Sequence, residues 1–133
     1  MDFVSIRIIT GDVPRLVEFY ERATGARAAW ATADFAELRI GAATLAIGGT
    51  RTVPLFAPGS ARPAANHSVI TEFLVEDVDR VHQNLTGFVT DFVNEPTTMP
   101  WGNRSLLFRD PDGNLVNFFT PVTPAAVEKF ARR

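Results

Sequence analysis

Two stretches of this chain repeat one pattern at a fixed offset of 65 residues. The first is SIRIITGDVPRLVEFY, Ser5 to Tyr20, and the second is ITEFLVEDVDRVHQNL, Ile70 to Leu85. Asp12 matches Asp77, Val13 matches Val78, Arg15 matches Arg80 and Leu16 matches Val81. Each copy opens with period-two alternation and then changes to helical spacing. In the first, Val4, Ile6 and Ile8 alternate with Ser5 and Arg7, after which Val13, Leu16, Val17 and Tyr20 fall at i, i+3, i+4 and i+7. Asp12 and Asp77 are suited to cap the two helices, and Gly25 and Gly87 to end them. A chain made twice over from a strand-then-helix unit has few folds open to it. Two copies are too few for a solenoid, which needs at least three repeats.

The remaining segments extend each unit. FAELRI (35–40) and ATLAIGG (43–49), joined at Gly41, follow the first helix as strands. TDFV (90–93), RSLLFRD and NLVNFF follow the second. The organisation expected is α+β: two βαβββ modules, the first over 1–57 and the second over 68–122. The Pro-, Ala- and Gly-rich segment 58–67 serves as linker. Thr123 as cap and Pro124 at the first helical position predict a closing helix over 123–133.

At 133 residues the chain suits one compact domain, and 46% apolar residues supply a core. A net charge of −2 speaks against a nucleic-acid partner, which would call for a basic stripe. No run of 18 apolar residues and no basic-then-apolar leader is found, so neither a membrane span nor a secretory signal is expected. The chain is expected in the cytoplasm. It has no Cys, which removes disulfides and thiolate chemistry. No G-x-S-x-G elbow or phosphate-binding G-x-x-x-x-G-K-[ST] loop is present either.

The doubled unit combined with PWGNRSLLFRDPDGN, Pro100 to Asn114, resembles the vicinal oxygen chelate superfamily of glyoxalases, bleomycin-resistance proteins and extradiol dioxygenases. Trp101-Gly102 before a strand, then Asp110-Pro111-Asp112-Gly113-Asn114, is most similar to the bleomycin-resistance branch. Phe19-Tyr20 after Asp12 is also typical. The resemblance spans nearly the whole chain. It implies curled mixed sheets around a cavity, and a homodimer.

The resemblance also implies where a divalent ion would bind in metal-using relatives. One ligand lies seven residues before each helix-capping Asp, here Ser5 and Ile70. Another lies four after the Gly of the DPDG turn, here Asn117. The last is best matched by Ala46. None is His or carboxylate, and a shift by one residue recovers no such set, so no metal and no other cofactor is expected. His67 is a weak outside candidate. His82 reads as a packing residue on the second helix.

If Ser5, Ile70 and Asn117 face inward, alternation brings Arg7, Glu72 and Phe119 with them. Arg7 and Glu72 are equivalent by the 65-residue offset, and are read either as paired with each other or as polar anchors for a ligand. Glu37, Trp101 and Arg104 complete the candidate ligand-binding set. The function expected is metal-free binding of a small molecule, such as sequestration of a drug or natural product. The alternative is a lyase, isomerase or oxygenase with an altered site, in which Glu72 would serve as base. An accessory or sensor module without chemistry is a third reading.

Overall fold

The computed structural model describes residues 1–131; the end of the helix expected over 123–133 lies partly outside them. The elements run β1 (Ser5–Thr10), α1 (Val13–Thr24), β2 (Ala28–Thr32), β3 (Phe35–Ile40) and β4 (Ala43–Gly49), then a 3-10 helix (Thr50–Leu55). They continue with β5 (Ile70–Leu74), α2 (Val78–Leu85), β6 (Thr97–Thr98), β7 (Asn103–Arg109), β8 (Leu115–Pro121) and α3 (Pro124–Phe130). The strands make two four-stranded mixed sheets, ordered β1-β4-β3-β2 and β5-β8-β7-β6. In each, the first strand lies parallel to the last, and the remaining pairs are antiparallel. The α+β architecture of two βαβββ modules is therefore what the chain adopts.

The chain divides into two compact units. One comprises Met1–Asn66 with Pro111–Gly113; the other comprises His67–Asp110 and the residues from Asn114 onward.

The repeat holds at atomic detail. Asp12 and Asp77 have near-identical extended backbones, φ −143° with ψ 90° and 96°. Their Oδ1 atoms accept from the N–H of Arg15 at 3.1 Å and of Arg80 at 3.2 Å. Each carboxylate thus satisfies a backbone donor that the first helical turn leaves unpaired. In the first unit Val13, Leu16, Val17, Phe19 and Tyr20 are buried on α1, and Ala36, Leu38, Leu45 and Ile47 are buried on the sheet. In the second unit Phe118 packs edge-on against Phe73 (5.2 Å) and Phe108 (5.0 Å). His82 meets Phe92 edge-on at 5.1 Å, the packing role its place on the helix predicts.

Two local expectations need correction, on TDFV and on Gly87, and two elements, β2 and the 3-10 helix, have no counterpart in the sequence pattern. TDFV is not a strand: only Phe92 forms a bridge, to Phe108, and the edge strand is the two-residue β6 further on. Asn94 interrupts any ladder there, because its Oδ1 takes the N–H of Leu107 at 2.7 Å. β2, which carries no clear alternation, was not singled out by pattern. The segment after β4 forms a 3-10 helix where pattern alone suggested none. Gly87 does not end α2; Thr86 is the C-cap, its N–H bonded to His82 O at 3.1 Å.

Gly25 closes α1 in the left-handed region, as expected, with φ 76°. Gly102 matters more. Its φ is 95°, and an added Cβ would collide with Thr123 Oγ1 and come 3.1 Å from Ala126 Cβ. The start of α3 therefore packs directly on the Gly102 backbone. Gly113, at φ 81°, has open space around it. Gly102→Ala is expected to cost about 2 kcal/mol or more, from conformational strain plus overpacking. Gly113→Ala carries the strain alone, about 1–2 kcal/mol. Urea unfolding of the two variants checks this; equal costs would remove the close approach as the reason for Gly102.

Candidate functional site

Each sheet has one face under its helix and one face turned away. In the second sheet the helix-side face carries Thr71, Phe73, Arg104, Leu106, Phe108, Val116, Phe118 and Thr120. Alternation puts Ile70, Glu72, Leu74, Ser105, Leu107, Asn117 and Phe119 on the other.

The turn between β7 and β8 sets which residues meet. Asp110 accepts from Asn114 twice, Oδ1 from the backbone N–H at 2.9 Å and Oδ2 from the side-chain amide at 2.8 Å. The Asp110 N–H returns a bond to Asn114 O at 3.0 Å. With both residues 5% exposed, Asp110 and Asn114 form a buried clamp at the base of the half-buried turn 111–113. It pairs Arg109 with Leu115, and hence Leu107 with Asn117 and Ser105 with Phe119.

On the far side of β8, the parallel register pairs Asn117 with Glu72. Asn117 Nδ2 donates to Glu72 Oε2 at 2.8 Å. A carboxylate can only accept, so the amide nitrogen must point toward it. Asn117 is 8% exposed, whereas Glu72 is open to solvent. Among the described residues, Asn117 Oδ1 is then left buried with no hydrogen-bond partner, and so is Ser105 Oγ on the neighbouring strand. Leaving such a group unpaired costs about 1–3 kcal/mol. The amide thus holds an exposed carboxylate in one orientation at the expense of its own oxygen. Leu107, Leu74 and Phe119 flank the pair in the cross-strand register.

The first sheet repeats this layout with other residues. Arg7, Ala46 and Glu37 form one cross-strand row on the face away from α1, and Ser5, Thr44 and Arg39 the row beside it. The Arg7 guanidinium carbon lies 4.5 Å from the Phe35 ring centroid and 5.2 Å from that of Phe56. Each such contact is worth about 0.5–1 kcal/mol at an exposed position. Arg7 and Glu72 therefore each find partners within their own unit.

The residues singled out from sequence distribute as follows. Glu72, Asn117, Ile70 and Phe119 share the open face of the second sheet, and Ser5, Arg7 and Glu37 that of the first. Phe119 is 7% exposed and packs against Phe130 at 5.1 Å. Arg104 is not with them. It lies on the helix side and grips Asp79 through Nε at 2.8 Å and Nη2 at 2.9 Å. That hydrogen bond holds the Asp79 carboxyl below its ordinary range and the guanidinium above its own. Trp101, in the turn before β7, is 68% exposed. His67 is exposed, beside the start of β5. Ser105 carries no pattern signal of its own; counting across the clamp leads from Asn117 to Leu107, and only from Phe119 to Ser105.

The positions where family ligands would stand, Ser5, Ala46, Ile70 and Asn117, offer a hydroxyl, two hydrocarbon side chains and an amide. That donor set does not fit a divalent ion of the family kind. Among the described residues no group of three or more His, Cys, Asp or Glu is placed to hold one. No helix of the described residues is long and apolar enough to cross a membrane.

The fold is widely shared. A glyoxalase/bleomycin resistance protein/dioxygenase family enzyme from Burkholderia phytofirmans PsJN superposes with a TM-score of 0.79 at 17% identity, over 92% of this chain and 100% of that one. A glyoxalase/bleomycin resistance protein/dioxygenase from Nocardioides gives 0.76 at 19% identity, over 93% and 85%. In sequence, the uncharacterized protein YraH of Bacillus subtilis (strain 168) is 26% identical over 125 residues, 90% of this chain and 98% of that protein. A family model matches residues 2–118, and with the doubled βαβββ architecture it shows that the chain belongs to the Glyoxalase/Bleomycin resistance protein/Dioxygenase superfamily.

Proposed function

We propose that this protein binds a small organic molecule on the open face of its second sheet, without a metal of its own. The observation that carries the reading is the Asn117–Glu72 pair. A buried amide with an unpaired oxygen is a poor choice for stability alone, since an apolar side chain of the same size would pack there without penalty. It is a sound choice for presenting a carboxylate to a guest. Glu72 Oε1 remains available to accept from a ligand N–H or O–H, and Leu107, Leu74 and Ile70 offer apolar surface beside it. The guest that suits this face is partly apolar and carries a hydroxyl or amine. Trp101, too exposed to be a core residue, supplies an aromatic wall in this reading. Sequestration of a drug or natural product is the biological role that fits such a binder.

Asn117→Leu separates this reading from a structural one. It is expected to leave the melting temperature unchanged or to raise it, by up to about 1–3 kcal/mol in unfolding free energy, while weakening the guest. A large loss of stability would make Asn117 a structural residue and overturn the reading.

A thermal-shift screen of amine- and hydroxyl-bearing natural products finds the guest. At ~100 times its dissociation constant a ligand stabilises the fold by roughly 2.7 kcal/mol. Trp101→Ala is then expected to weaken the hit while changing stability by no more than about 0.5 kcal/mol. Equal loss of binding and folding would reduce Trp101 to a packing residue.

Elemental analysis of the purified protein is expected to find no stoichiometric Zn, Ni, Mn or Fe. About one ion per chain would contradict the mismatch of the donor set.

A further inference from the structure

We propose that the open face of the first unit carries an anion site, with Arg7 as its donor, for a monocarboxylate on an apolar or aromatic body. This goes beyond the Glu72–Asn117 reading and rests on other residues, so either can fail alone.

The path of the Arg7 side chain is the first observation. Arg7 is on β1 and Phe35 on β3, with β4 between them. Their rows are adjacent: Arg7, Ala46 and Glu37 in one, Ile9, Gly48 and Phe35 in the next. To lie 4.5 Å from the Phe35 ring, the side chain must cross β4 above Ala46 and Gly48. Those are the two smallest residue types. A Cβ on Gly48 would already meet Thr52 Oγ1 at 3.0 Å and the Phe35 ring at 3.7 Å. Ile9 Cδ1 would lie 3.5 Å from that Cβ, so the space at Gly48 is filled by Thr52, Ile9 and Phe35, while Ala46 sets only a methyl group between Arg7 and Glu37.

The second observation is what the guanidinium does at the end of that path. Phe56, just after the 3-10 helix, lies 5.2 Å from it while remaining 71% exposed. A guanidinium that stacks on aromatic rings does so through its flat faces and keeps its N–H donors in the plane for another partner. Among the described residues no acceptor takes any of these donors. Glu37 shares the Arg7 row with only Ala46 between them, yet the two form no ion pair among the described residues. The rings draw the guanidinium toward the Phe35 row. An exposed arginine ordinarily samples many rotamers. Here two aromatic contacts remove much of that freedom in advance, which lowers the cost of binding.

The geometry selects the guest. A planar fork of donors matches the two oxygens of a carboxylate. The exposed Phe56 ring offers apolar surface to whatever body carries that group. Glu37 and Arg39 nearly cancel one another on the same face, leaving a single net positive charge, which suits a monoanion over a phosphate dianion.

The test titrates benzoate, acetate and inorganic phosphate into the full-length 15N-labelled protein. The readout is the arginine Nε–H resonances, with Arg7→Lys identifying the Arg7 signal by its loss. Benzoate is expected to shift that signal saturably, with acetate and phosphate weaker. Arg7→Lys keeps the charge but not the fork, and by calorimetry is expected to bind benzoate about tenfold more weakly. Phe56→Ala, at a largely exposed ring, keeps the fold and is expected to weaken benzoate several-fold. A shift that never saturates, benzoate affinity unchanged in both variants, or phosphate binding more tightly than benzoate would each overturn the proposal.

Discussion

The clamp between Asp110 and Asn114 fixes the register on which the second unit depends. Three hydrogen bonds between these two buried residues close the turn. Side chains alternate with period two, so a slip of one residue would exchange the two faces of β8. Val116 and Phe118 would leave the aromatic cluster beneath α2, and Asn117 would enter it. The clamp therefore protects the core and the candidate site by the same contacts. It also explains why a turn of good turn-formers is more than punctuation: the Asp and Asn side chains satisfy each other where water does not reach.

Once the register is set, the face turned away from α2 is met by a helix only where Phe130 of α3 packs on Phe119. That freedom admits a buried amide with one unpaired oxygen at Asn117 and an unpaired hydroxyl at Ser105. Both depart from the rule that buried polar groups are paired. They sit on one face of adjacent strands, next to an exposed carboxylate, and none occurs among the aromatic side chains under α2. Asn103 Oδ1, further along β7, is another such atom among the described residues, so what singles out Asn117 is its hydrogen bond to the Glu72 carboxylate.

Much of this was legible in the sequence, for identifiable reasons. The repeat was visible because Asp12 and Asp77 cap helices by short-range chemistry that leaves a local signature. Asn117 stood out because it interrupts an apolar run, and counting from Gly113 located it. What was not legible depends on partners distant in the chain. Arg104 looked available for the site because it follows Trp101, but its face is set by the β7–β8 register, and Asp79 on α2 claims it. Nothing local announces that a 3-10 helix will bring the Phe56 ring to Arg7. The contacts that Glu72 and Arg7 make inside their own units, with Asn117 and with Phe35 and Phe56, likewise come from residues far along the chain.

The duplication makes those last two positions informative together. Arg7 and Glu72 occupy the same place in their modules, and so do their cross-strand partners Ala46 and Asn117. Where the charge is a carboxylate, the partner is an amide that can donate to it. Where the charge is a guanidinium, the partner is a methyl group over which it can lie, and two aromatic rings receive it. Side chains of this length carry rotamer freedom that an unconstrained surface would leave untouched. Two copies of one scaffold have each constrained a solvent-facing charge at the equivalent position, by different chemistry and with opposite sign. Solubility alone asks for charges on a surface, but it does not ask for them to be held still.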